Sequence, residues 1–215
     1  MSNTLTPTFS EDVLCLDDLF TESMLCQEFE GQLEVDDSAT ARLDDLAIGL
    51  MAFEFKQYFT AAAALERVGD ADLSEFALAQ EWLGATYLRA GHPELAIEPL
   101  RRAVQLDQQL GRDPLTIAEC QFSLGLAYCR TGHHECALVE FYNALMCEPD
   151  WGTVLFEIAR VHALRNRIGE SFAALAAAIQ QDEFFLVRAQ HDFDFETVRQ
   201  TAAFERWAAT FEQTR

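Results

Sequence analysis

The chain has 215 residues, half of them hydrophobic, enough to bury a core in one domain or one repeat array, and it holds no uninterrupted apolar run of about 18 residues that would cross a membrane. Its 36 acidic against 15 basic residues leave a net charge of -21, a field that repels nucleic-acid phosphate and anionic lipid, so neither is an expected partner. The six cysteines (15, 26, 120, 129, 136 and 147) form no CxxC pair and the N-terminus has no basic-then-apolar leader, which fits reduced thiols in a soluble cytoplasmic protein.

Residues 1–9 carry Ser, Thr, Asn and Pro without a period and are expected to be disordered. Over 10–31 the spacing predicts an acidic amphipathic helix: Ser10 precedes Glu11 and Asp12 as an N-cap with acids in the first turn, Val13, Leu16, Phe20 and Met24 recur at helical intervals, and Gly31 ends it. Its apolar stripe needs a cover. The expectations are packing on the repeat array as an N-terminal cap, occupation of a binding groove, folding on a partner, or self-association through Val13, Leu16, Phe20 and Met24. Residues 32–41 read as a linker.

From residue 42 to 183 a pattern of small residues repeats, in units near 42–75, 77–110, 118–151 and 152–185. The first has Ile48-Gly49, Tyr58 in the inter-helix turn, then Ala61, Leu65 and Val68, with Ala52 where an aromatic is expected. The second has Leu83-Gly84, Tyr87, Gly91, Ala96, Leu100 and Ala103. The third has Leu124-Gly125, Tyr128, Gly132, Ala137, Phe141, Ala144 and Pro149, and the fourth Ile158-Ala159, His162, Ser171, Leu175 and Ala178. Intervals of 35, 41 and 34 residues separate Gly49, Gly84, Gly125 and Ala159, and the long one holds about seven extra residues around Gln108–Pro114, as a longer helix or a bulged loop. A glycine inside a helical pattern costs about 1 kcal/mol relative to Ala, so close helix approach is the expected compensation. Residues 184–215 read as capping helices: Asp194 is a candidate cap for FETVR, Thr201 for a last helix with Phe204, Trp207, Ala208 and Phe211 on one face.

Two groupings invite a chemical reading and do not support one. His133, His134 and Cys136, with Cys129 nearby, are zinc-ligand types without a second close pair, and Asp192, Asp194 and Glu196 have the spacing of caps on a solvated face. No phosphate loop, nucleophile elbow or HExxH occurs in the chain, so no catalytic residue, metal ligand or cofactor is expected.

The order Leu-Gly, aromatic, small, aromatic, small, Pro in Ala118–Pro149 resembles the tetratricopeptide repeat at every diagnostic position but the first aromatic, which is Gln121. The resemblance implies an all-α, right-handed α-solenoid of about four helix pairs, with the N-terminal helix before it and a C-terminal helical cap. It also implies that the first helix of each pair lines a concave groove. In that frame the lining comprises Leu46, Leu50, Phe53, Glu81, Ala85, Leu88, Arg89, Phe122, Leu126, Cys129, Arg130, Phe156 and Arg160. The candidate peptide-binding residues among them are Leu50, Phe53, Leu88, Arg89, Phe122, Leu126, Arg130, Phe156 and Arg160. Family members that grip chaperone C-terminal carboxylates carry asparagines where this chain has Leu50, Ala85 and Leu126, so that activity is not implied. The resemblance implies instead a non-catalytic protein–protein interaction module taking a peptide or amphipathic helix. A secretion-type chaperone or a dimeric structural or regulatory subunit are the alternatives.

Overall fold

The structure is a computed structural model that describes residues 37–70 and 72–212. The N-terminal helix expected over 10–31, with Val13, Leu16, Phe20 and Met24, lies outside the described residues, as do the side chains of Trp207, Ala208 and Phe211. The described residues form eleven α-helices and no strand. They are α1 (Asp37–Glu54), α2 (Tyr58–Leu65), α3 (Leu73–Arg89), α4 (Pro93–Leu110), α5 (Pro114–Arg130), α6 (His134–Leu145), α7 (Gly152–Leu164), α8 (Ile168–Gln181), α9 (Phe184–His191), α10 (Glu196–Arg199) and α11 (Ala202–Glu212). No described helix is long and apolar enough to cross a membrane.

Helices pair as α1–α2, α3–α4, α5–α6 and α7–α8, successive pairs stack through α2 on α3, α4 on α5 and α6 on α7, and the first helices also touch one another. The period seen in the sequence is the period of these contacts. A Cβ on Gly49 or Gly125 would come within 2.6 Å of Leu65 Cγ or 2.5 Å of Phe141 Cε1, and one on Gly84 would overlap Leu100. Each of those large residues stands sixteen positions after its glycine, and Leu175 stands sixteen after Ala159. Leu65, Leu100, Phe141 and Leu175 are all fully buried. The missing Cβ is thus what lets the second helix of a pair press its large side chain onto the first, and the helix-propensity cost is offset by that packing.

The turns repeat as strictly. Lys56, Gly91, Gly132 and Asn166, each seven residues after the glycine or alanine of its pair, have φ of 57°, 81°, 78° and 56°. The next residue's N–H then reaches back to the helix: Gln57 to Ala52 O, His92 to Tyr87 O, His133 to Tyr128 O and Arg167 to His162 O, all at 2.8 Å. This left-handed closure satisfies carbonyls that the helix end leaves open.

Three expectations change. Residues 37–41 are the first turns of α1 rather than linker, and Tyr58 opens α2 while Lys56 makes the turn; of the two outcomes expected for the extra residues around 108–114, they lengthen the helix, α4 running to Leu110 before Gly111 closes it at φ 64°. Asp192, not Asp194, caps the 3-10 turn Phe193–Phe195 by accepting Asp194 N–H at 2.9 Å; Thr201 does serve as a cap, its Oγ1 accepting Phe204 N–H at 3.2 Å. Beyond α8, Phe185, Leu186, Ala189, Phe195, Val198 and Phe204 join Phe156, Leu175, Ala178 and Ile179 in one buried cluster, so the C-terminal helices cover the end of the fourth pair.

Candidate functional site

The first helices carry the expected groove residues, and their stacking decides which stay accessible. Leu50, Ala85, Leu126 and Arg160 follow the glycine or alanine by one residue; Phe53, Leu88 and Cys129 follow it by four, Arg89 and Arg130 by five. Leu88 is 1% exposed, Phe122 0%, Leu126 2% and Phe156 0%. Phe122 meets Phe141 and Trp151 with ring centroids 5.7 and 5.3 Å away, joining the third pair to the start of the fourth. Phe156 lies 5.4 Å from Phe185 and 5.2 Å from Phe195, with the Arg188 guanidinium 4.4 Å over its face. The expectation that these four line an open groove is corrected: large apolar side chains on tightly stacked first helices pack in the core instead. Leu46, Glu81, Ala85 and Cys129 are buried as well.

What remains accessible is a strip of five. Leu50 and Phe53 are half-buried, Phe53 packing edge-on against Trp82 at 5.0 Å; Arg89 and Arg160 are half-buried and Arg130 is exposed. Arg130 Nη1 donates to Leu88 O at 2.9 Å, which ties the third first-helix to the second. Arg160 is held by Glu157 at 2.5 Å and lies 3.9 Å from Asp194, and the Glu157 charge holds its guanidinium above the usual range. The structure thus brings Leu50 and Phe53 to one end of the strip and the three arginines to the rest.

The histidine and cysteine grouping is not assembled. His133 and Cys136 are exposed, Cys129 is buried with Arg160 Nη2 3.9 Å from its sulfur, and His133 instead pairs with Thr131 Oγ1 at 2.9 Å.

A different cluster emerges between α3, α4 and α5. Glu81, Asp107 and Cys120 are each 1% exposed, and one donor atom from each lies within 4.8 Å of the others. Cys120 Sγ donates to Asp107 Oδ2 at 3.7 Å, Arg112 Nε lies 3.2 Å from Asp107 Oδ1, and Arg112 Nη2 donates to Ser74 O and Oγ at 3.0 and 2.8 Å. Among the described residues neither oxygen of Glu81 has a hydrogen-bond partner and no ion pair reaches it. Burial, then the charges of Asp107 and Glu119, push the Glu81 carboxyl up to about 8; burial likewise raises Asp107 and the Cys120 thiol. Sequence reasoning placed Glu81 in a groove and passed over the other two. The available signal was position, since the residue three before the glycine or alanine is Leu46, Phe122 or Phe156 in the other pairs.

No protein-family model matches the chain, and no curated protein sequence does. Solved structures do. MamA aligns over 81% of this chain and 90% of its own at 19% identity, with a TM-score of 0.66. YrrB, a TPR protein with an unusual peptide-binding site, aligns over 72% and 76% at 21% identity and a TM-score of 0.61. The APC/C hetero-tetramer Cut9–Hcn1 supplies a third, over 74% of this chain and 29% of the other at 16% identity and a TM-score of 0.58. At these identities the likeness gives the fold, and the fold is an all-α tetratricopeptide-repeat solenoid.

Proposed function

We propose that this tetratricopeptide-repeat solenoid is a non-catalytic protein–protein interaction module that takes a peptide or amphipathic helix along the accessible strip of its first helices. The observation that carries the reading is the strip itself: Leu50 and Phe53 at one end, Arg89 and Arg130 further on, one row spanning three consecutive pairs. Guanidinium groups following apolar side chains along one row suit a ligand with an apolar head and an acidic side. Arg160, paired with Glu157, closes the row. The peptide-binding site of YrrB, on the same fold, supports the ligand class.

Selection of a displayed random-peptide library on the full chain tests this. Enriched peptides should carry an apolar residue followed by acids. Leu50→Asp and Arg130→Glu should each weaken them about tenfold or more, the scale of one charge-assisted hydrogen bond or one buried apolar side chain. Phe59→Asp, on a side chain 91% exposed outside the strip, should leave them unchanged. Equal binding by the strip variants, or no enrichment, overturns the reading.

A further inference from the structure

Glu81 is a carboxylate in a slot that packing fills with Leu or Phe elsewhere in the array. An unpaired charge there costs several kcal/mol, and a neutral carboxyl still buries oxygens without partners. Its neighbour Asp107 is anomalous for a different reason. Twenty-three residues after each glycine or alanine the chain has Asp72, Asp107, Glu148 and Asp182. Asp72 caps α3 through Ser74 N and Glu75 N at 2.8 and 3.1 Å, and Asp182 accepts Phe184 N–H at 2.8 Å at the start of α9. Asp107 does not cap α5: the extra residues carry α4 onward to Leu110 and hand that cap to Asp113, which accepts Leu115 N–H at 3.2 Å, while α7, after Glu148, has no side-chain cap at Trp151. The insertion therefore turns a surface cap into a buried carboxylate, directed at the one pair whose inner slot holds Glu81.

We propose that Glu81, Asp107 and Cys120 form a binding site for a thiophilic divalent cation of the zinc type, with one donor from each of α3, α4 and α5. Metal–sulfur and metal–oxygen bonds of about 2.3 and 2.0–2.2 Å at a tetrahedral angle put sulfur and oxygen about 3.5–3.7 Å apart. Cys120 Sγ and Asp107 Oδ2 already stand 3.7 Å apart. A Glu81 oxygen lies within 4.8 Å of both, neither of its oxygens is hydrogen-bonded, and a small side-chain shift would bring it onto the ion, the second oxygen or a water completing four-coordination. Arg112, paired with the far oxygen of Asp107 and anchored on Ser74, holds that carboxylate in orientation, as outer partners of metal ligands do. Two carboxylates and a thiolate against Arg112 and a divalent ion make a neutral cluster, the protons of the Cys120 thiol and of the Glu81 carboxyl leaving to solvent as the metal binds. The sulfur, with two carboxylates as the acidic donors found beside it among the described residues, favours zinc-like ions over calcium or magnesium. Such an ion would staple α3, α4 and α5 together across the boundary of the second and third pairs, outside the peptide strip.

The probe is cobalt(II), titrated without air into the untagged full chain under a metal-free reductant. One equivalent should bind with a thiolate-to-cobalt charge-transfer absorption, and zinc should displace it. Cys120→Ser should abolish that band, Glu81→Gln should weaken binding about tenfold or more, and the double variant Cys136→Ala, Cys147→Ala, which removes two exposed thiols, should keep it. Absence of the band from the wild-type chain at millimolar cobalt overturns the proposal whatever the variants do. So does a band that survives Cys120→Ser and disappears with the exposed thiols.

Discussion

The second and fourth helix pairs each bury one glutamate on the first helix, and they treat it in opposite ways. Glu157 is 1% exposed and meets two arginines, Arg160 at 2.5 Å from its own helix and Arg188 at 3.6 Å from α9. Glu81 is equally buried and meets Asp107 and Cys120, neither of which brings a positive charge. The first arrangement is complete within the chain and ties the capping helices to the array. The second gathers two carboxyls and a thiol, and among the described residues Arg112 meets Asp107 by an ion pair but not Glu81. Adjacent positions of the repeat, three residues before the glycine for Glu81 and two before the alanine for Glu157, can therefore serve as a receptor or as a fastening, and the side chains that meet the carboxylate decide which.

The sharpest way to break that contrast is to remove a partner from the balanced site. Arg160→Met keeps much of the volume but leaves Glu157 with Arg188 alone, and unfolding by denaturant should show a loss of about 3–5 kcal/mol, the usual result of stranding a buried charge. A loss under about 1 kcal/mol would mean that Arg188 suffices. The same measurement at the other site should have the opposite sign. Glu81→Leu, in buffer with a chelator, should stabilise the chain by about 1–3 kcal/mol, because Leu46 already occupies this slot in the first pair and no partner is stranded. Destabilisation would mean that the carboxyl is satisfied in some way that the contrast denies it.

Acidity gives a smaller and graded test. Glu81 is held at about 8 when folded against an ordinary value near 4.5, so between those values the folded chain holds a proton that the unfolded chain has released. Stability from this group is then full below about 4.5 and is lost as pH rises towards 8, with a limiting slope of about 1.4 kcal/mol per pH unit. Glu119, pushed up to about 7 by burial and by Asp113 and Glu148, acts in the same direction. Thermal midpoints of the chelator-treated chain should fall between pH 5 and 8, and Glu81→Gln should flatten that fall while leaving the Glu119 share. An unchanged slope would show that Glu81 is ionised in the folded chain.

The fold was legible because its period is imposed by one contact made four times. Gly49, Gly84 and Gly125 can be found without coordinates because a Cβ there would collide with the side chain sixteen positions on, and Ala159 keeps the phase with another small residue. The openness of the inner face was not legible. Position in the repeat says which way Phe122 points, but its burial depends on Trp151, a residue of the next pair that no repeat position requires to be aromatic. Asp107 was hidden for a subtler reason. The extra residues around 108–114 can be counted in the sequence, yet counting does not say that a cap has been displaced into the core. Glu81 was visible as an exception to Leu46, Phe122 and Phe156, but an exception on an expected groove reads as specificity until its burial is seen.

The two pairs differ once more, at the turn, and there the expected effect is smallest. Gly91 and Asn166 occupy the same step of the repeat, at φ 81° and 56°, and the following N–H closes on the helix at 2.8 Å in both. The left-handed conformation costs an ordinary L-residue about 1–2 kcal/mol, less for Asn, whereas glycine enters it freely but gives up more freedom on folding. These terms nearly cancel for Asn166→Gly, which should stabilise by no more than about 0.5 kcal/mol. Gly91→Asn should lose a similar amount, and both should appear as shifts of about 1–2 °C in the thermal midpoint. Gly91 has open space where a Cβ would go, so a larger loss there could not come from a clash. It would mean that the second pair needs a wider φ than Asn accepts, and that its turn, like its glutamate, departs from the pattern the fourth pair tolerates.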